Sequence, residues 1–393
     1  MAGAGPGPLL TRLRALPGPV WVLAGGQFVN KFGAFVIFFL VLYLTRLGYS
    51  PAQAGLASSM YGVGSFLAMF VGGHTAARFG RRGTIVLSMV ASATTMVLLS
   101  QARGILALTA LAGLAGLATE LYRPAASALL TDLTPKGQRV TVFAVYRTFI
   151  NAGPAVAGIL AERSFLWIFL GDAATSLAFG AIAFFALPGG RPDAPRHHHE
   201  APGLLHALRS DPDLRRVLVA MAGAVFVIFQ ITTVLPLHVV ALGFSTTTFG
   251  ILASLNGLTV AATEIPATSL TTRLRPRIAI GSGVILIGFA YAGLGLATSI
   301  AGLVAVVLVA TAGEITALPV TAALVGDLAP DHLRGRYQGA LGAAAALGVA
   351  AAPAVGGSLY AWHPSAAFAA FALVGLAAGL TVIIPEFSTQ NRG

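Results

Sequence analysis

A chain of 393 residues that is 56% hydrophobic and only 9% charged cannot clothe a soluble surface, which takes about 25% charged residues. Lipid has to be its main solvent. The absence of cysteine excludes disulfides, thiolate metal sites and cysteine nucleophiles.

The spacing of the apolar runs predicts twelve segments, each suited to a helix that crosses a bilayer rather than to a barrel strand. A Gly/Pro-rich start carries Arg12 and Arg14, and the first run extends from about Val20 to Leu44. It is too long for a cleaved leader, is interrupted by Asn30 and Lys31, and is read as a retained first helix. Helices are expected next near 52–74, 84–102, 105–132, 140–162 and 165–187. A polar stretch follows, and six more are expected near 217–241, 246–270, 278–298, 301–328, 337–360 and 364–385. The expected fold is an all-α membrane protein of 12 transmembrane helices in two homologous six-helix bundles. Its parts are an N-terminal half (1–187), a linker (188–216) and a C-terminal half (217–393). In the linker, His197–His199 with Glu200 lack a second ligand cluster, so the tract is read as solvated and no metal is expected.

Cation placement sets the orientation, because short cytoplasmic loops are enriched in Lys and Arg. One side collects Arg12, Arg14, Arg78, Arg81, Arg82, Lys136, Arg139, and further arginines through Arg336 and Arg392; the other has Arg46, Arg103 and Arg163. Both termini and the linker are therefore expected in the cytoplasm. The net charge of +11 reads as topology, and no nucleic-acid partner is expected.

The halves share residues at a constant offset of 195: Pro124 with Pro319, Asp132 with Asp327, Pro135 with Pro330 and Arg139 with Arg334. Arg78 with Arg273 and Arg82 with Arg277 keep the same offset. A shift of almost half the chain indicates a duplicated half rather than a short tandem repeat. In membrane carriers, such halves place a binding site at their interface near the bilayer midplane.

The loop after the second segment, Gly73-His-Thr-Ala-Ala-Arg78-Phe-Gly80-Arg81-Arg82, resembles the G-x-L-A-D-R-x-G-R-R signature of the major facilitator superfamily. The fifth segment carries Gly153, Pro154 and Gly158, which look like the G-P-x-x-G-G element of that superfamily's antiporters. Pro353-Ala-Val-Gly356-Gly357 echoes it in the eleventh. The chain resembles the superfamily over essentially its whole length, and within it the bacterial drug/proton antiporters. The resemblance implies a transporter and not an enzyme, with protons as coupling ion and no other cofactor, in a bacterial inner membrane. Two positions depart from the pattern. The loop's acidic residue falls on Ala77, and the fourth-helix arginine linked to proton transfer falls near Ala112, with Arg123 or Arg147 as conceivable substitutes.

Charges inside a bilayer cost several kcal/mol, so each asks for a partner or a task. The cations are Lys31, Arg123 and Arg147, and the acids are Glu120, Asp172, Glu264 and Glu314. One acid more than cations leaves a carboxyl able to hold a proton. Glu314 is the first candidate for proton carrier, followed by Glu120 and Glu264. Glu120 and Arg123 share a helix face, as a structural ion pair or as a titrating one. Glu264 is read as a proton or substrate contact or as part of an inward gate. Asp172 is read as structural, and Arg147 as pairing with an acid of its half.

At the cytoplasmic ends, Asp132 has Arg81 and Arg139 as candidate partners, and Asp327 has Arg277 and Arg334. With Gly73, Arg78, Gly80 and Arg82 these make an expected cytoplasmic gate. Gln27, Asn30, Phe35, Tyr61, Tyr122, Gln230 and Asn256 are candidates for a mixed polar and apolar cavity. No phosphate-binding loop is present, so ATP is not expected to drive the protein. The expected function is proton-coupled export of small amphipathic compounds by a monomer that alternates its access. The alternative is uptake or facilitated diffusion of a polar nutrient.

Overall fold

With no water at bilayer depth to satisfy backbone groups, the apolar runs have to close their hydrogen bonds internally, and a helix is how a single run does so. The computed structural model describes residues 17–33, 36–133, 160, 162–189, 211–271, 274–330 and 333–384. The principal helices are α1 (Gly18–Gly33), α2 (Val36–Arg46), α3 (Pro51–Gln101), α4 (Ile105–Glu120), α5 (Tyr122–Leu133) and α6 (Phe165–Ala186). They continue with α7 (Pro212–Ile228), α8 (Val234–Ala241), α9 (Thr246–Thr271), α10 (Pro276–Ala292), α11 (Ile300–Leu328), α12 (Arg334–Trp362) and α13 (Pro364–Ile383). Among the described residues, eight helices are long and apolar enough to cross a membrane.

These helices account for eleven of the twelve expected segments, and all of the fifth but residues 160 and 162 lies outside the described residues. Three details differ from expectation. The second and third segments join into α3, whose 51 residues are interrupted only at Gly80 (φ 75°, ψ 169°), a left-handed position that favours glycine. The seventh segment is broken: a 3-10 turn at Phe229–Thr232 separates α7 from α8. Helix α7 also starts at Pro212, capped by the Asp211 carboxylate on the Leu214 amide (3.0 Å). Residues 212–216, assigned from sequence to the linker, are thus helix. A capping Asp, a first-turn Pro and an acidic first turn outweigh the local polarity.

By packing, the chain divides into two compact units: residues 1–37 with 64–195, and residues 38–63 with 196–393. Within the first, Val20, Leu23, Ile85, Met89, Tyr122 and Phe179 form an apolar core. Within the second, Leu214, Val217, Val325, Tyr337 and Leu341 form another.

The offset of 195 recurs in the internal geometry. Ser88 meets Ala118, donating to its carbonyl at 2.6 Å, and 195 residues later Gly283 packs on Gly313. Gly180 packs on Met89 in the first unit, and Gly375 packs beside Val284 in the second. The turns after α2 and α8 are also copies. Gly48 (φ 92°) and Gly243 (φ 83°) end these helices in left-handed caps. The Tyr49 amide donates to Leu44 and the Phe244 amide to Val239, the six-to-one bond of a glycine-terminated helix. Ser50 then accepts from the Gln53 amide, and Ser245 from the Thr248 amide.

Candidate functional site

The second unit holds a polar cluster between α9 and α11. Thr311 and Glu314 lie one turn apart on α11 and share a face. The Thr311 hydroxyl donates to the Val307 carbonyl (2.7 Å), so its oxygen is left to accept. Asn256 Nδ2, on α9, donates to Thr311 Oγ1 at 2.9 Å and to Glu314 Oε2 at 3.1 Å. The committed threonine proton therefore fixes which way the Asn256 amide faces. The site holds a carboxyl group in a set orientation on a membrane-spanning helix.

The first unit holds a second cluster, between α1 and α6. Asn30 Nδ2 donates to Ser176 Oγ (3.0 Å), and Ser176 Oγ donates to Asp172 Oδ1 (3.4 Å). All three are buried. The i,i+4 spacing of Asp172 and Ser176 puts both on the face of α6 that meets α1. At the α4–α5 junction Glu120 and Arg123 form the ion pair expected of them, with Glu120 largely buried (13% exposed) and Arg123 more open (57%). Ala112, where the resemblance calls for arginine, is fully buried in α4.

The break in the seventh segment frees carbonyl groups that other side chains satisfy. Tyr291 donates to the Ile228 carbonyl (3.1 Å) and Thr232 to that of Phe229 (2.8 Å). Gln230, expected on a cavity wall, is fully buried. Its Nε2 donates to the carbonyls of Phe226 and of Ala352 on α12, each at 3.1 Å. Tyr122, also expected there, lies in the apolar core with its ring edge-on to Phe179. Gln27 and Tyr61 are buried as well.

At the arginine-rich end, Arg277 does not answer Asp327. It donates to Asp213 at 2.7 Å, and Arg216 donates to the same carboxylate at 3.2 Å, while Asp327 is exposed. Asp213 lies on the first turn of α7, nearer to Arg277 in space than sequence distance suggests. One residue pair away, Tyr337 of α12 donates to Asp211 (3.1 Å). Sequence reading missed this tie between α7, α10 and α12; the Asp-Pro-Asp signature of a helix start was the available signal. It also missed Thr311 and Ser176, which only the helix spacing of their partners could have pointed to.

In the α3 loop, Gly73 and Arg78 are exposed and Gly80 supplies the kink. Arg78 stands over the Phe79 ring (5.4 Å), Arg81 donates to the Ala128 carbonyl (3.4 Å), and Arg82 stands over the Phe184 ring (5.6 Å). Ala77 is exposed, with no carboxylate to offer. Phe35, Arg139, Arg147, Gly153, Pro154 and Gly158 lie outside the described residues, as do the side chains of Lys31, Asp132, Glu264 and Arg334. Among the described residues no group of three His, Asp or Glu could hold a metal ion.

Comparison with known proteins follows this geometry. The chain is 26% identical over 350 residues to YqjV, an uncharacterised MFS-type transporter of Bacillus subtilis strain 168, covering 86% of this chain and 84% of that one. A Na(+), Li(+), K(+)/H(+) antiporter of Planococcus maritimus is 30% identical over 151 residues, 35% of this chain and 34% of that one. In fold it matches a crystal structure of the peptide transporter POT in complex with alafosfalin, at a TM-score of 0.78 and 16% identity over 93% of this chain and 94% of that one. The family model of the Major Facilitator Superfamily matches residues 23–309 and 239–390. Multi-pass helical architecture and this match together place the chain in the Major Facilitator Superfamily of transporters.

Proposed function

We propose that this transporter exports small amphipathic compounds in exchange for protons, with Glu314 as the proton carrier. The observation that carries the reading is the Asn256–Thr311–Glu314 cluster, an ionisable group held by a directed amide on a membrane-spanning helix. Intramembrane carboxylates of this kind are costly unless they serve a pathway. The named activity of the Planococcus relative adds support for proton antiport. In this reading cargo and proton each favour a different orientation of the carrier. Such exchange works only through differential affinity for the two states. The protein acts as a monomer in a bacterial cytoplasmic membrane, with both termini on the arginine-rich side, and Glu120 and Glu264 are the reserve carriers.

The second reading is uptake or facilitated diffusion of a polar nutrient. Its support is Ala112, buried where the antiporter pattern has an arginine.

The test uses purified protein in liposomes with a pH-sensitive dye inside and an imposed pH gradient. Lipophilic cations, neutral drugs and Na+, Li+ and K+ are added in turn. Compound-dependent proton movement that Glu314→Gln abolishes is the expected result. Movement that survives in Glu314→Gln transfers the role to Glu120 or Glu264. No movement with any compound refutes antiport of those compounds and favours the nutrient carrier.

A further inference from the structure

Between the start of the third segment, in α3, and the end of α6 runs a groove of about 590 Å³, lined by Phe79, Arg82, Gly83, Val86, Leu87, Val90, Phe184 and Gly189. Its walls are apolar and open outward: Phe79, Leu87, Val90 and Phe184 are all exposed large hydrophobic residues. Arg82, Val86 and Val90 fall four residues apart, so one stripe of α3 carries the cation at one end and aliphatic side chains beyond it. Val90 lies about 12 Å further along the helix axis than Arg82. The groove therefore has the polarity profile of one leaflet, charged at the interface and apolar toward the midplane.

Arg82 itself is placed for an anion. Its guanidinium stacks on the Phe184 ring at 5.6 Å, which holds its plane and leaves its N–H edges for a ligand. Among the described residues no carboxylate pairs with it. By contrast Arg277, its equivalent at the offset of 195, is committed to Asp213. Gly189 closes the charged end: a Cβ there would fall 3.0 Å from the Arg82 guanidinium carbon. Any side chain there asks the guanidinium to shift, and a larger one displaces it further.

We propose that this groove binds one anionic phospholipid, with its phosphate on Arg82 and an acyl chain along Val86, Leu87, Val90 and Phe184. The occupant follows from the lining. Free phosphate has nothing to place on the apolar walls, and a zwitterionic lipid brings a phosphate whose charge its own ammonium already offsets. Basic pockets between helices at the cytoplasmic interface select anionic headgroups for the same electrostatic reason.

The test is native mass spectrometry of the full-length protein, purified in neutral detergent and titrated separately with phosphatidylglycerol, phosphatidylcholine and inorganic phosphate. One phosphatidylglycerol should bind per chain, about fivefold more tightly than phosphatidylcholine. Arg82→Gln should bring phosphatidylglycerol down to the phosphatidylcholine level. Gly189→Leu, which changes no charge, should do the same by displacing the guanidinium, and it keeps the question answerable if Arg82→Gln does not fold. Arg103→Gln, just past the far end of the helix that carries Arg82, should leave binding unchanged. Equal binding of the two lipids, unchanged binding in Gly189→Leu, or full competition by inorganic phosphate overturns the proposal.

Discussion

A close helix crossing in the second unit makes a sharp prediction about Gly288→Ala. A Cβ at Gly288 would fall 2.7 Å from Gly375 Cα and 2.8 Å from the Phe371 carbonyl, and one at Gly375 would fall 2.6 Å from Gly288 Cα. Carbon atoms prefer separations of roughly 3.5–4.0 Å, so α10 and α13 would have to part by about 1 Å. The obstacles are backbone atoms and cannot rotate away. In lipid, such helices are held by packing and not by a hydrophobic difference from their solvent, so the lost contact is not compensated. Overpacking of this kind costs about 1–3 kcal/mol. At the equivalent crossing of the first unit, Gly180→Ala would place its Cβ 3.2 Å from Met89 Cβ, a side-chain contact that relaxes by a few tenths of an ångström. Gly171→Ala meets nothing within 4 Å and should be neutral or stabilising by up to about 1 kcal/mol, since glycine is the poorer helix former. Thermal unfolding in detergent, followed by size-exclusion chromatography after heating, should rank Gly288→Ala lowest, Gly180→Ala intermediate and Gly171→Ala highest. Equal midpoints for Gly288→Ala and Gly171→Ala would refute the packing argument.

Two further outcomes are expected. Asp211→Ala removes both the cap on Leu214 and the acceptor of Tyr337; it should cost about 1–2 kcal/mol, and Tyr337→Phe, which spares the cap, should cost less in the same thermal assay. The Ser59 hydroxyl accepts from the Ala354 amide at 2.8 Å, so Ser59→Cys with Ala354→Cys, in a chain free of other cysteines, should cross-link on mild oxidation. If the transport cycle parts these helices, transport in liposomes falls to background when the bond forms and returns on reduction; undiminished transport by the cross-linked protein would mean that they stay together.

The sequence by itself determined the solvent, the element type and the repeat. A composition this poor in charge fits only lipid, lipid admits each apolar run only as a helix, and a constant offset survives wherever both copies keep a residue. It even contained a repeat that is easy to overlook, Leu47-Gly48-Tyr49-Ser50 and Leu242-Gly243-Phe244-Ser245, whose glycines the structure places in matching left-handed caps. It also pointed to Glu314, Asn256, Asp172 and Asn30 as polar groups that need an explanation in an apolar setting. What it did not contain was partnership. Asn256 and Glu314 are 58 positions apart, Asn30 and Ser176 are 146 apart, and neither spacing has a helical period. The same gap separated Arg277 from Asp213 and sent the sequence reading to Asp327. Gln230 and Tyr122 make a related point: a polar side chain in an apolar run suggests a cavity, whereas here Gln230 Nε2 donates to backbone carbonyls and the Tyr122 ring packs on Phe179. Periodicity is a property of one helix, whereas hydrogen bonds and ion pairs across a bundle depend on which helices cross and at what height, and that is decided only when small residues such as Gly288 and Gly375 let their backbones meet.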